Sequence, residues 1–184
     1  YVADASPLPI LATIRTSVEG GEASLDDEEY CALVAALAPH VGGVDVEIRR
    51  DGSSALIEDA HAAGALVIGS FHDFEGTPSD DQLAEVLADM NYAGADVLKF
   101  ACMAHSATDA ARVLGAQAWA REAYDRPVIG IAMGPNGAPT RLVGSALGSA
   151  ATFATLPGAE GSAPGQFTIE QARAVLDIVE GSEA

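Results

Sequence analysis

Lysine is all but missing from this sequence: Lys99 is the only one in 184 residues. Arginine adds eight basic residues against 27 acidic ones, so the formal net charge is −18. Such a surface repels phosphates, which excludes nucleic acid and anionic membranes as expected partners. Aromatic residues are scarce at 5%, so the core must be built from small and aliphatic side chains, as where helices pack on a parallel sheet. Only two cysteines occur, Cys31 and Cys102, far apart and outside any C-x-x-C pattern, which reads as free thiols in a reducing compartment. No apolar run approaches bilayer length, and the first residues lack the basic and apolar regions of a signal peptide. The expected location is therefore the cytoplasm. No pair of histidines has a metal-ligand spacing, so no metal site is expected.

What is present is apolar enough, at 49%, to fill the core of one domain. Short apolar runs at 9–15, 43–49, 65–71, 95–101, 127–133 and 146–153 read as strands buried on both faces. Between them lie helix signals. Ser24 with Asp27, Ser79 with Gln82, Thr108, and Thr168 with Gln171 are the expected openings. This βαβα rhythm predicts a parallel α/β fold, either a (β/α)8 barrel or an open sheet. No G-x-G-x-x-G stands at a strand-to-helix turn, and polar residues cluster at the C-terminal ends of the strands. Both features favour the barrel, which builds its active site there.

The acid excess has two readings, a surface for a cationic partner or adaptation to high salt. The acids are dispersed along the chain and lysine is depleted, which favours salt adaptation.

Lys99 lies inside the apolar run DVLKFACM. An ammonium there is costly unless its pKa falls or it finds a partner, and a neutral lysine amine condenses with carbonyls to form a Schiff base. The plainer reading is a strand-end lysine that snorkels to solvent. His72 directly follows ALVIGSF and suits general acid–base work. Glu47, in VDVEIRR, could orient that imidazole or pair with Arg49 or Arg50. Arg15 and Arg141 could clamp an anionic substrate. Ser162 and Gln166, in GSAPGQF, could bond hydroxyl or carboxylate groups. His40, His61 and His105 are expected to be exposed. Together the set implies removal of a proton beside a carbonyl of an acidic substrate, with an iminium on Lys99 as the electron sink.

The order and spacing of RTSVEGGE, SFHDFEGTP, GADVLKFA, the GPNGAPTRLVG loop, GSAATF and SAPGQ resemble type I 3-dehydroquinate dehydratase, from about residue 8 onward. The resemblance implies a (β/α)8 TIM barrel without its first two strand–helix units in this chain, as a single catalytic domain over 1–184. It implies a homodimer that uses neither metal nor cofactor and takes 3-dehydroquinate as its small-molecule substrate. By the resemblance Lys99 forms the imine, His72 moves the proton and Glu47 supports it, as the catalytic set. Arg15, Arg141, Ser162 and Gln166 hold the substrate. Two rivals remain at this point: another imine-forming aldolase-type barrel enzyme, and an inactive barrel-derived binding protein. Salt adaptation makes a separate prediction: in thermal denaturation series the midpoint rises as KCl approaches molar concentrations, and a flat response would count against it.

Overall fold

In the computed structural model, residues 5–159, 161, 163–179 and 181 are described. The chain divides into two compact units. One comprises residues up to His72 together with Glu85–Lys99; the other comprises Asp73–Ala84 together with the chain from Phe100 onward.

Five strands are hydrogen-bonded in sequential order, β1 (Leu11–Thr13), β2 (Gly43–Glu47), β3 (Leu66–Asp73), β4 (Val97–Met103) and β5 (Val128–Met133). In the first unit β1 pairs with β2 and β2 with β3, both parallel, through Thr13 opposite Asp45 and Glu47 opposite Ser70. Parallel neighbours need a crossover, and helices supply it: α1 (Asp27–Leu37) joins β1 to β2, and α2 (Ser53–Ala62) joins β2 to β3. Every residue of β2 is buried, in keeping with a strand covered on both faces. Tyr30 and Val34 of α1, Leu56, Ile57 and Ala60 of α2, and Val44 and Val46 of β2 form this core. α3 (Asp80–Tyr92) approaches β3 so closely that a Cβ at Gly69 would lie 2.8 Å from that of Ala95 and 3.3 Å from Cγ of Met90. Glycine is the residue that allows this contact.

The second unit contains α4 (Ala107–Ala123), β5, the short α5 (Thr140–Val143) and α6 (Ile169–Val179). Its core includes Phe100, Cys102, Val113, Ala120, Val128, Ile131 and Met133. The strand expected at 146–153 does not form. Ser145–Leu147 is instead a 3-10 turn, and only one bridge, Val128 to Ser149, joins this segment to β5. Buried Gln117 explains the loss. Its Oε1 accepts the Gly130 N–H (2.9 Å), and its Nε2 donates to the carbonyls of Gly144 and Leu147 (3.0 and 3.2 Å). A side-chain amide thus takes the place of a neighbouring strand.

Helix openings follow the expected chemistry at two of four places. Ser79 and Gln82 bond reciprocally at the start of α3, as do Thr168 and Gln171 at α6. α1 opens at Asp26 with Glu29 in a capping box, two residues beyond Ser24, because Asp26 accepts from the N3 amide. α4 opens at Ser106, whose hydroxyl accepts from the Asp109 amide, and not at Thr108. Helix α2 was absent from the expected openings; its N-cap is Gly52 in the left-handed region, with no side-chain cap to signal it. No helix among the described residues is long and apolar enough to cross a membrane.

Candidate active site

The strand ends of the first unit gather an unusual density of buried charge. Asp45 and Glu47 lie two apart in β2, and Ser70 and His72 two apart in β3, so each pair points to one face. Lys99 in β4 and Arg15, just beyond β1, complete the ring. Lys99 is 6% exposed, Asp45 0% and Glu47 1%.

Lys99 does not snorkel. Its Nζ donates to Oδ2 of Asp45 at 2.9 Å. The other Asp45 oxygen accepts from Arg15 Nη2 and from the Ser70 hydroxyl, each at 2.6 Å. Burial pushes the Asp45 carboxyl up, but the Lys99 and Arg15 charges more than offset it and hold it at about 2. Burial lowers the Lys99 amine below its ordinary value, with Asp45 opposing. The acid is therefore ionised, and the amine is the member of the pair poised to lose its proton.

The residues RTSVEGGE fold into a tight loop. Ser17–Glu19 is a 3-10 turn closed by Gly20 in the left-handed region, and the Gly21 amide donates back to the Thr16 carbonyl at 2.8 Å. A Cβ on Gly21 would lie 2.1 Å from the Arg15 carbonyl oxygen, so no other residue fits. The loop turns Glu19 inward, where it is only 6% exposed. Its Oε2 lies 2.8 Å from His72 Nδ1 and accepts from Arg15 Nη1 at 3.1 Å.

Glu47 was expected to orient the imidazole. The carboxyl that meets the imidazole is that of Glu19. Glu47 accepts from Arg15 Nη1 (2.9 Å), from the Thr16 amide and hydroxyl (2.8 and 2.7 Å) and from Arg50 Nε (3.3 Å). It fastens β2 to the chain leaving β1. Arg15 is also not the free clamp expected of it, since both Nη atoms bond the acids Glu19, Asp45 and Glu47. It is first a counter-charge, with only its remaining N–H groups left for a substrate.

Burial, then Lys99 and Arg15, lower the imidazolium of His72 to about 2, so the ring is neutral. Burial and the Glu47 charge push Glu19 up to about 8 against the pull of Arg15. Near neutrality the ring is thus uncharged, and Nε2 of His72 has no hydrogen-bond partner among the described residues. An uncharged imidazole beside a desolvated amine can shuttle protons at an adduct on that amine.

Of the other expected residues, Arg141 and Gln166 belong to the second unit and Ser162 lies outside the described residues. Arg141 is 4% exposed, its Nη2 donates to the Pro164 carbonyl at 3.3 Å, and its Nε has no partner among the described residues. His61 pairs with Asp96 at 2.9 Å and His105 with the Glu75 carbonyl at 2.8 Å, both at the surface. No group of three potential metal ligands occurs among the described residues. Sequence reasoning missed Glu19 and Asp45. The i, i+2 spacing of Asp45 and Glu47 within a run otherwise apolar was the available signal for Asp45, and the paired glycines after Glu19 the signal for its loop.

A buried strand lysine and a neutral histidine in one charged cluster, on a parallel α/β scaffold, mark the site of an enzyme. A family model for type I 3-dehydroquinase matches residues 2–183. A 3-dehydroquinate dehydratase from Klebsiella pneumoniae subsp. pneumoniae is 42% identical over 177 residues, 94% of this chain and 70% of that protein. The crystal structure of 3-dehydroquinate dehydratase from Geobacillus kaustophilus HTA426 superposes with a TM-score of 0.89 at 35% identity, covering 96% of this chain and 69% of that one. A type I 3-dehydroquinate dehydratase from Clostridium difficile with covalent modified comenic acid gives 0.86 at 34% identity, covering 95% and 70%. The chain belongs to the type I 3-dehydroquinase family.

The shifted groups predict opposite pH slopes. Asp45, lowered from 3.8, contributes stability that is present above pH 3.8 and lost as the pH falls through about 2. His72 is held neutral in the fold while the unfolded chain protonates near 6.5, so stability also falls on acidification below 6.5. Glu19, raised from 4.5, contributes stability present below 4.5 and lost as the pH rises through about 8. In thermal denaturation between pH 6.5 and 8, Glu19→Gln should therefore lack part of the parent's decline in Tm. Identical slopes in the two proteins would refute the raised carboxyl.

Proposed function

We propose that this chain is a lyase of the shikimate pathway that dehydrates 3-dehydroquinate to 3-dehydroshikimate through a Schiff base on Lys99. Family membership carries the overall reaction. The observation that supports the covalent route is the burial of the only lysine against Asp45, close to the His72–Glu19 pair in charge and fold.

The route runs in four steps. Deprotonated Nζ of Lys99 adds to the C3 ketone, and a proton delivered to the adduct's hydroxyl through the His72–Glu19 pair lets it leave as water, which gives a protonated imine. Asp45 stabilises this cation as it stabilised the ammonium. With Nδ1–H donated to Glu19 Oε2, His72 presents the Nε2 lone pair and removes a C2 proton, whose electrons flow into the iminium as an enamine. The enamine returns its electrons to expel the C1 hydroxyl, which leaves as water with the proton from His72. Hydrolysis of the remaining imine frees the product and the amine.

Arg141, Ser162 and Gln166 are proposed to hold the substrate's carboxylate and hydroxyls. The unpartnered Nε of buried Arg141 supports an anion there, because a desolvated guanidinium gains from a counter-charge. Homodimeric assembly, a cytoplasmic location and adaptation to high salt belong to the same proposal; dispersed acids and the scarcity of lysine support the last.

The test is to mix the protein with 3-dehydroquinate, add borohydride and map the adduct by mass spectrometry. A reduced adduct on Lys99 is expected. No adduct from folded protein would overturn the covalent route, and an adduct formed with pyruvate instead would move the reading to an aldolase. His72→Ala should still trap imine slowly while its turnover falls by roughly 10²- to 10⁴-fold. Undiminished turnover would remove His72 from the mechanism.

A further inference from the structure

β1 is short. Its register with β2 ends at Thr13 opposite Asp45, and the chain then turns away through Arg15 into the glycine loop. β2 continues to Glu47, so beyond Asp45 its edge loses that neighbour. On the opposite edge the Ile48 amide still reaches the Ser70 carbonyl of β3 at 2.9 Å. Amides alternate between the two edges of a strand, so the Glu47 N–H and the Asp45 carbonyl face the side that β1 has left.

One side chain fills that position. The Tyr30 hydroxyl accepts from the Glu47 amide at 2.8 Å and donates to the Asp45 carbonyl at 3.4 Å. Tyr30 is fully buried. Its ring is flanked by the Arg50 guanidinium, 5.3 Å from the centroid, and Arg50 in turn bonds Asp27 of the same helix (2.7 Å) and the Glu47 carboxylate. Burial raises the phenol well above its usual range, so the hydroxyl keeps the proton it donates.

We infer that Tyr30 is a positioning residue for the Lys99 reaction, its hydroxyl standing in for a strand to fix the Asp45–Glu47 backbone and hence the carboxylate that holds the amine. The inference rests on the Schiff-base reading above. Besides burial, Asp45 from β2 and Arg15 and Glu19 from the loop after β1 act on the charge at Lys99; His72 from β3 faces the same charge, and Glu47 lies behind Arg15. Only Asp45 bonds the amine among these, and Asp45 is the one whose peptide Tyr30 grips. Removing the hydroxyl loosens the pair, and burial then acts on the amine with less opposition. Lys99 should lose its proton at lower pH.

Because the chain has one lysine, an amine reagent with peptide mapping reads this group without interference from other side chains. Rates of Lys99 modification by trinitrobenzenesulfonate, followed across pH, give the midpoint for parent, Tyr30→Phe and Val34→Ala. Val34 lies one turn along the same buried face of α1 and serves as a control for lost packing. Tyr30→Phe should shift the midpoint down and lower kcat between about tenfold and about a hundredfold with KM little changed. Val34→Ala should lower Tm while leaving midpoint and kcat near parental values. An unchanged or higher midpoint in Tyr30→Phe, or an equal shift in Val34→Ala, overturns the assignment. Because modification needs no substrate, these midpoints decide the role of Tyr30 even if borohydride trapping of the parent refutes the Schiff base.

Discussion

The salt bridge between Lys99 and Asp45 is the constraint around which the first unit is arranged. Two opposite charges in the interior are tolerable only if each is further bonded, since desolvation of either alone costs several kcal/mol. Asp45 meets that condition through Arg15 and Ser70. Arg15 then needs more acid than Asp45 supplies, and Glu19 and Glu47 provide it. Each added charge brings in another strand end, until three acids, two cations and an imidazole share one buried cluster. The buried amine is thus the last member of a chain of compensations.

That logic also accounts for the division of labour among the carboxylates. Asp45 faces two cations and stays ionised. Glu19 faces Arg15 and, with least effect, Lys99, but also two acids, and burial tips it toward its protonated form. Similar side chains a few ångströms apart acquire opposite proton affinities from their neighbours alone, which is how one site can hold an anion for a cationic intermediate and a proton for a base.

Much of this was legible in the sequence, and the failures have physical causes. A single lysine in an apolar run could be singled out because burial makes a charged side chain conspicuous. His72 stood out likewise at the end of a long apolar strand. Glu47 was assigned to the histidine because strand-end position alone cannot tell which acid reaches across; Glu19 gets there only through a loop whose shape depends on Gly20 and Gly21. The first five apolar runs became strands. The sixth was composed as a strand should be, with GSAATF, yet Gln117 had already taken the amide of Gly130 that would have helped to pair it. Helix α2 lacked a capping side chain and so gave no starting signal. Local composition reports burial well; it does not report which polar group arrives first at a given backbone donor.

The arrangement around Gln117 has a bearing on how the segment after β5 can vary. With its amide bridging Gly130 to the carbonyls of Gly144 and Leu147, helix α4 acts as the template for the turn that follows Arg141. A rotation of α4 by even a fraction of a turn would carry that turn with it. The turn beside the buried guanidinium is therefore tied to a helix well removed in sequence, and substitutions along α4 can reach that turn without touching it.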